Sequence, residues 1–205
     1  MFIYTEKKPK FRITRRELFH ILISWLAITF AFSWGAIKSG SLSNALYMFG
    51  VYALILATGF ILHELAHKFA AIKYNAEAEY FMWKPGIIFA LVLSFITGGA
   101  FVFAAPGAVY IYGKYLSRKE NGIISIAGPL TNLAVGVIFL ILGFALLTVA
   151  PGISVIAFLV TKVNAFLGLF NMVPIYPLDG SKVLAWSLPL WLATTAVLLA
   201  IFMFV

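Results

Sequence analysis

Residues 45–72 read ALYMFGVYALILATGFILHELAHKFAAI, an uncharged apolar run that ends in a group of ionisable side chains, His63, Glu64 and His67. A hydrocarbon span requires about 20 mostly apolar residues. This stretch therefore predicts a membrane-spanning helix. Ionisable groups inside such a helix are costly and usually functional, so its last turns are the first candidate for a functional site.

The composition of the whole chain agrees with a membrane location. Of its 205 residues, 63% are hydrophobic and 11% are charged, against about 45–50% and about 25% in a typical soluble domain. No charged residue occurs within 39–63, 85–113 or 121–161. These figures exclude a soluble enzyme, a disordered chain and a fibrous protein. Because the chain has no cysteine, disulfides and thiolate metal sites are excluded as well.

The formal net charge of +8 is concentrated at the N-terminus. Residues 1–16 contain six basic side chains and one acidic one, which is +5 of that total. Beside an apolar stretch, such a tail predicts a cytoplasmic N-terminus by the positive-inside rule, and no nucleic-acid-binding module follows it. The apolar run 18–37 is longer than the 7–15 residues or so of a signal-peptide core. We therefore expect a multi-pass protein of the cell membrane whose partner is the lipid bilayer.

The expected fold is an all-α polytopic membrane protein in a single domain, residues 1–205. It has about five to six transmembrane helices, a re-entrant β-hairpin and a proline-broken helix at the active site. Full spans are predicted over 17–37, 45–72, 123–149 and 154–170, followed by a further apolar segment over 181–205.

Four shorter segments complete this prediction. Residues 73–86 are polar and predict a cytoplasmic loop or short strands. Residues 87–97 are apolar but too few to cross a bilayer. Two β-rich runs in 100–112 flank Pro-Gly, which predicts a hairpin, and open backbone at membrane depth requires protein cover or a watery cavity. Two prolines in 171–180 prevent an unbroken helix.

The motif His63-Glu64-Leu-Ala-His67 has the spacing of a metal site. Residues four apart lie on the same face of a helix, so both imidazoles point in one direction. Two histidine ligands to zinc with an intervening carboxylate that acts on water form the metalloprotease arrangement. The alternative is a packed pair of histidines with a glutamate at a helix end. A di-iron histidine-box enzyme is excluded because the chain has three histidines.

A catalytic zinc needs a third protein ligand. Asp179 is the only aspartate and lies in an otherwise uncharged run, where a lone carboxylate requires a cation partner. Zinc is the favoured partner and Lys182 is the alternative. The other candidate ligands are an interfacial residue, His20, and two residues of the polar loop, Glu77 and Glu79.

The HELAH motif is followed about a hundred residues later by NMVPIYPLDG at 171–180. Together they resemble the site-2 protease family of intramembrane zinc metalloproteases. The glycine pair at 98–99 and the segment 127–132 are similar to weaker features of that family. The resemblance covers about residues 45–182, the expected catalytic core. Within that family, the chain resembles the minimal type, which has no PDZ or CBS domains.

The resemblance implies that His63, His67 and Asp179 bind one Zn²⁺ ion and that Glu64 is catalytic. Asn171 would support the substrate or the transition state. The implied reaction is hydrolysis of peptide bonds in transmembrane segments of membrane-protein substrates, near the cytoplasmic face. The alternative function is a non-proteolytic zinc-binding scaffold or metal transporter that retains the ligands. The hairpin at 100–112 either accepts an extended substrate strand or is a packed structural element.

Overall fold

The computed structural model describes residues 10–38, 40–103, 105–112 and 115–205, and within them the chain forms helices, one π-turn and two strands. Residues 1–9 of the basic tail lie outside this description, as do residues 39, 104, 113 and 114. In chain order the elements are α1 (Arg15–Lys38), α2 (Leu42–Leu56), the π-turn (Ala57–Ile61), α3 (Leu62–Lys73), β1 (Glu77–Met82), α4 (Lys84–Thr97), β2 (Gly107–Tyr112), α5 (Arg118–Leu146), α6 (Pro151–Asn171), α7 (Asp179–Trp186) and α8 (Leu188–Phe204).

The structure confirms the polytopic helical architecture. Four segments of the described chain are long and apolar enough to cross a membrane: α1, the continuous stretch Leu42–Lys73, α5 and α6. These four match the four predicted full spans within a few residues. Two further apolar helices are shorter, α4 with 14 residues and α8 with 17. Four candidate spans are thus found in the described residues against the five to six expected, and α8 has only the minimum length of about 17 residues for a further one.

A π-turn interrupts the second span directly before the HELAH motif. At Ala57–Ile61 the helix widens, and the Leu62 N–H donates to the Ala57 carbonyl five residues earlier. A Cβ built on Gly59, within this turn, would lie 2.7 Å from Leu167 Cδ1 of α6. The missing side chain therefore lets the turn approach α6 closely. Single π-turns inside α-helices are frequent at functional sites, and this one was not predicted.

The antiparallel pair α5 and α6 forms the centre of the fold, and α3 and α7 both pack on α5. Two hydroxyls cross between α6 and α5: Ser154 Oγ donates to the Gly143 carbonyl at 2.8 Å, and Thr161 Oγ1 donates to the Gly136 carbonyl at 3.1 Å. Small residues and hydroxyl hydrogen bonds are typical of helix packing inside membranes. These bonds join α5 to α6, while α5 also packs against α3 at the end of the second span.

The two strands form an antiparallel sheet, but its pairing corrects the sequence prediction. β2 pairs with β1, in the register Glu79↔Tyr110 and Tyr80↔Val109, whereas we expected two strands within residues 100–112. Residues 101–103 and 105 form no strand. The partner strand β1 comes from the polar segment 73–86, which was predicted as a cytoplasmic loop or short strands. In the sequence, α4 lies between β1 and β2.

Side-chain packing explains the corrected pairing. Along β1, Ala78 and Tyr80 are buried while Glu77 is exposed, which is the alternation of a half-buried strand. In the run that was expected to pair, Phe103 instead stacks edge-on against Phe89 and Phe170, at centroid distances of 5.0 and 5.3 Å. Phe103 therefore packs against α4 and α6 instead of pairing with β2.

A buried ion pair joins α1 to the second span. Lys68 Nζ donates to Glu17 Oε2, and the two residues are only 4% and 1% exposed. The backbone N–H of Tyr80 donates to the other oxygen, Glu17 Oε1, at 3.1 Å. Glu17 therefore ties α1 to both α3 and β1, next to the HELAH motif.

Breaking this pair is expected to destabilise the protein. Because Lys68→Met leaves the Glu17 carboxylate buried without its cation, we expect unfolding free energy to fall by about 3–5 kcal/mol. The measurement is denaturant unfolding in mixed micelles. Lys73→Met is the matched control, since that lysine is exposed on the same helix, and it should change the unfolding free energy by less than about 0.5 kcal/mol. Equal effects of the two variants would contradict the role of the buried pair.

Candidate active site

Three possible metal ligands converge where α3 meets the start of α7. His63 and His67 lie on α3 and Asp179 is the first residue of α7, and one ligand atom of each lies within 4.8 Å of the others. The two Nε2 atoms are 3.0 Å apart. Asp179 Oδ2 is 3.3 Å from His63 Nε2 and 3.1 Å from His67 Nε2. All three residues are buried.

The other ring nitrogens have partners on α5, which aims both Nε2 atoms at the same point. His67 Nδ1 lies 2.8 Å from the Ile124 carbonyl oxygen, and His63 Nδ1 lies 2.6 Å from Asn132 Oδ1. A backbone carbonyl accepts only, so His67 Nδ1 carries a proton, and in the neutral ring Nε2 then keeps a lone pair. Metal-binding histidines almost always donate their second N–H in this way.

The distances and the space at the site fit one zinc ion. Ligands about 2.0–2.1 Å from a tetrahedral zinc lie about 3.3 Å from one another, close to the three distances measured here. Gly128 of α5 faces the same point: a Cβ added there would lie 2.5 Å from both Nε2 atoms. The absent side chain leaves room beside the ligands, and two imidazoles with one carboxylate are a zinc donor set.

Asp179 reaches the histidines because the chain turns sharply after α6. Gly180 lies so close to the Met172 carbonyl that any side chain would overlap the backbone, and Trp191 Nε1 donates to the same carbonyl at 2.8 Å. The predicted alternative partner, Lys182, is also nearby, with Nζ 3.9 Å from Asp179 Oδ1. One carboxylate oxygen thus faces the histidines while the other faces the lysine.

The remaining candidate ligands lie elsewhere in the described chain. The His20 ring packs against Phe81, with centroids 5.5 Å apart, and Glu77 is exposed. Glu79 accepts a hydrogen bond from Arg16 Nη2 at 2.8 Å. That bond holds the pKa of the Glu79 carboxyl below its usual value. Among the described residues, the convergent cluster therefore contains none of these three.

Glu64 is buried one residue after His63 and interacts electrostatically with both His63 and Asp179. Its carboxylate is not among the three converging ligand atoms. Asn171, the predicted supporting residue, donates from Nδ2 to the Leu167 carbonyl of its own helix at 3.0 Å. Its role at the site stays a prediction.

Sequence reasoning did not assign two residues that the structure places at the site. Gly128 and Asn132 were noted only as part of a segment with weak family similarity. The available signals were an asparagine inside an uncharged span and a glycine one turn before it on the same helix. Neither signal alone indicates which helix the two residues face.

Filling the space beside Gly128 is expected to disrupt metal binding. In Gly128→Ala the new methyl group would meet both Nε2 atoms at 2.5 Å, so the rings must move apart and zinc affinity should fall by about tenfold or more. Gly136→Ala is the control on the same helix, because its Cβ would lie 3.7 Å from the Thr161 carbonyl, an ordinary contact. Zinc content after dialysis against a weak chelator measures both. Full zinc content in Gly128→Ala would show that the methyl group does not obstruct the metal.

Comparisons with known proteins point to one family. A family model described as peptidase family M50 matches residues 51–151. The chain is 41% identical over 186 residues to the "Putative zinc metalloprotease MJ0611" of Methanocaldococcus jannaschii, covering 88% of this chain and 90% of that protein. It is 28% identical to the "Zinc metalloprotease MJ0392" of the same organism, covering 78% of this chain and 40% of that protein. No solved structure shows a significant match.

Proposed function

Because the chain belongs to peptidase family M50, the site-2 zinc metalloproteases, we propose that it cleaves peptide bonds within transmembrane segments of membrane proteins, near the cytoplasmic face. One observation carries the proposal. The convergent cluster His63, His67 and Asp179 lies with Glu64 at the end of an apolar helix long enough to span a membrane. A protease site at that place meets substrates that are themselves in the membrane.

We assign zinc binding to His63, His67 and Asp179, and acid–base chemistry to Glu64. Zinc supplies a Lewis acid that polarises the peptide carbonyl and lowers the pKa of water at the site to about 7. The Glu64 carboxylate accepts a proton from the attacking water and returns it to the departing amine. Asn171 would support the substrate or the transition state with its side-chain amide.

The cytoplasmic position is supported by the charges around α3. The helix ends at Lys73, six residues or about 9 Å beyond His67. β1 follows directly and its Glu79 pairs with Arg16 at the start of α1. The site therefore lies at the end of the bundle that carries the basic N-terminal segment, which the positive-inside rule places in the cytoplasm.

A substrate helix must unwind before cleavage, because its amides are hydrogen-bonded within the helix. β2 offers an extended segment a place to bind. The Tyr80 N–H turns away from β2 toward Glu17, so the Tyr80↔Val109 pair is a non-hydrogen-bonded one. The backbone of Val109 consequently faces the outer edge of β2, which carries no third strand among the described residues. Strand addition at such an edge is a common mode of peptide recognition.

Cleavage-site mapping tests the proposal. The purified protein, reconstituted with zinc and lipid, is incubated with a panel of single-span substrates, and the products are identified by mass spectrometry. We expect cuts inside the apolar segment near its cytoplasmic end, and none with Glu64→Gln. Cuts confined to extramembrane loops would contradict an intramembrane protease. Zinc binding without any cleavage would favour the scaffold or transporter alternative.

A further inference from the structure

Asn132 contacts the site without being one of the residues assigned to zinc binding or catalysis above. It lies on α5, is fully buried, and makes three hydrogen bonds to three different elements. Its Oδ1 is 2.6 Å from His63 Nδ1, and its Nδ2 lies 2.7 Å from the Gly59 carbonyl oxygen and 3.1 Å from Asn164 Oδ1. A buried polar group with every bond made is a rigid element.

The direction of each bond in this network follows from two backbone carbonyls. Because the Gly59 carbonyl only accepts, the atom of Asn132 that faces it is the NH₂ group. Asn164 Nδ2 donates to the Val160 carbonyl at 2.9 Å, so Asn164 presents its oxygen to Asn132. Both constraints turn the Asn132 oxygen toward His63.

The orientation of Asn132 determines the protonation of His63. Because a side-chain amide oxygen only accepts, His63 Nδ1 must carry the proton, and Nε2 keeps its lone pair toward Asp179 and His67. The same result is reached for His67 by the Ile124 carbonyl. The two rings thus differ in one respect: His67 is oriented by the backbone and His63 by a side chain, which a substitution can remove.

The π-turn belongs to the same network. Gly59 is inside Ala57–Ile61, four residues before His63, and Asn132 bonds to both positions. A Cβ on Gly59 would lie 3.4 Å from Asn164 Oδ1, so the small residue admits the asparagine pair. One amide therefore holds the widened turn and the first ligand at a set distance along the helix.

We propose that Asn132 is a positioning residue for the metal centre, which selects the Nδ1-protonated form of His63 and fixes its ring relative to the π-turn, with Asn164 orienting the Asn132 amide. The inference rests on the assignment of His63 as a zinc ligand. It does not depend on the nature of the substrate, and zinc affinity can be measured without one.

The test compares three variants by zinc affinity, measured by chelator competition on the purified full-length protein. Asn132→Leu removes the acceptor at His63, and we expect zinc affinity to fall about 10–100-fold, as for outer-shell partners in other zinc sites. Asn132→Asp retains an oxygen acceptor at His63 Nδ1 but loses the donation from Nδ2 to the Gly59 carbonyl and to Asn164 Oδ1, so zinc affinity should fall, but less than in Asn132→Leu. Thr161→Val is the control, because it removes another buried bond between α6 and α5 and should leave zinc affinity unchanged.

The unfolding free energy of each variant separates a positioning role from a merely structural one. A structural role predicts that Asn132→Leu and Thr161→Val lose stability alike while both retain zinc affinity, and that result would overturn the proposal. Should Asn132→Leu not fold, Asn132→Ala decides, because it also removes the acceptor at His63 Nδ1: a loss of zinc affinity of about tenfold or more supports the proposal and retained affinity overturns it. Unchanged zinc affinity in Asn132→Leu would overturn this inference whatever the cleavage rate, whereas lost zinc affinity in a protein that cleaves no substrate would support the inference and contradict the proposed function.

Discussion

Glu64→Gln is expected to retain zinc and to lower the rate of peptide hydrolysis by about 10²–10⁴-fold, the usual contribution of a general acid–base group. The amide has nearly the shape of the carboxylate, so it preserves the packing of α3. It has no lone pair basic enough to take a proton from water. The variant leaves the proposed zinc ligands His63, His67 and Asp179 unchanged.

The matched control for this variant is Glu77→Gln, which makes the same chemical change at an exposed position of β1. It should leave both zinc content and cleavage rate unchanged. The readout is the initial rate of cleavage of a single-span substrate, with zinc quantified on the same samples. Undiminished cleavage by Glu64→Gln would contradict the protease mechanism. Loss of zinc together with activity would instead show that the carboxylate is needed to hold the metal.

The spans and the members of the convergent cluster were predictable because they depend on local pattern. Apolar runs of sufficient length identify membrane helices, and the four predicted full spans agree with the four long apolar helices. The i, i+4 spacing of His63 and His67 places both on one helix face whatever surrounds them. Asp179 stood out because a carboxylate in an uncharged run requires a cation.

The features that were not predicted depend on contacts between distant parts of the chain. The partner of β2 is decided by which run packs its aromatic side chains against helices, as Phe103 does. The Glu17–Lys68 pair joins residues 51 positions apart, and the bond of Asn132 to His63 spans 69. A pattern along the chain specifies which residues are costly to bury but does not specify the partner of each.

Asp179→Ala is expected to reduce zinc affinity more than any outer-shell change, hence by more than about 10–100-fold. The variant leaves two imidazoles, and a catalytic zinc requires three protein ligands. Purified Asp179→Ala should therefore lose its zinc on dialysis against a weak chelator. Glu79→Ala, which removes one of the two candidate ligands in the polar loop, should keep a full complement of metal, since that carboxylate is bonded to Arg16.

Lys182 provides the decisive comparison for the role of Asp179. Its Nζ is 3.9 Å from Oδ1, while Oδ2 faces both histidines. If Asp179 is present mainly to pair with the lysine, Lys182→Met should disturb the site as strongly as Asp179→Ala does. If it is a zinc ligand, Lys182→Met should keep the metal.

Thermal unfolding supplies a second, independent readout for Asp179, because an ion that binds only the folded state stabilises it by RT ln(1 + [Zn]/Kd), about 2.7 kcal/mol at 100 times Kd. A zinc ion shared by α3 and α7 would connect the second span to the proline-broken segment more than a hundred residues later in the chain. Added zinc should therefore raise the Tm of the unaltered protein and of Lys182→Met, but not of Asp179→Ala. An equal rise in Asp179→Ala would place the third ligand elsewhere.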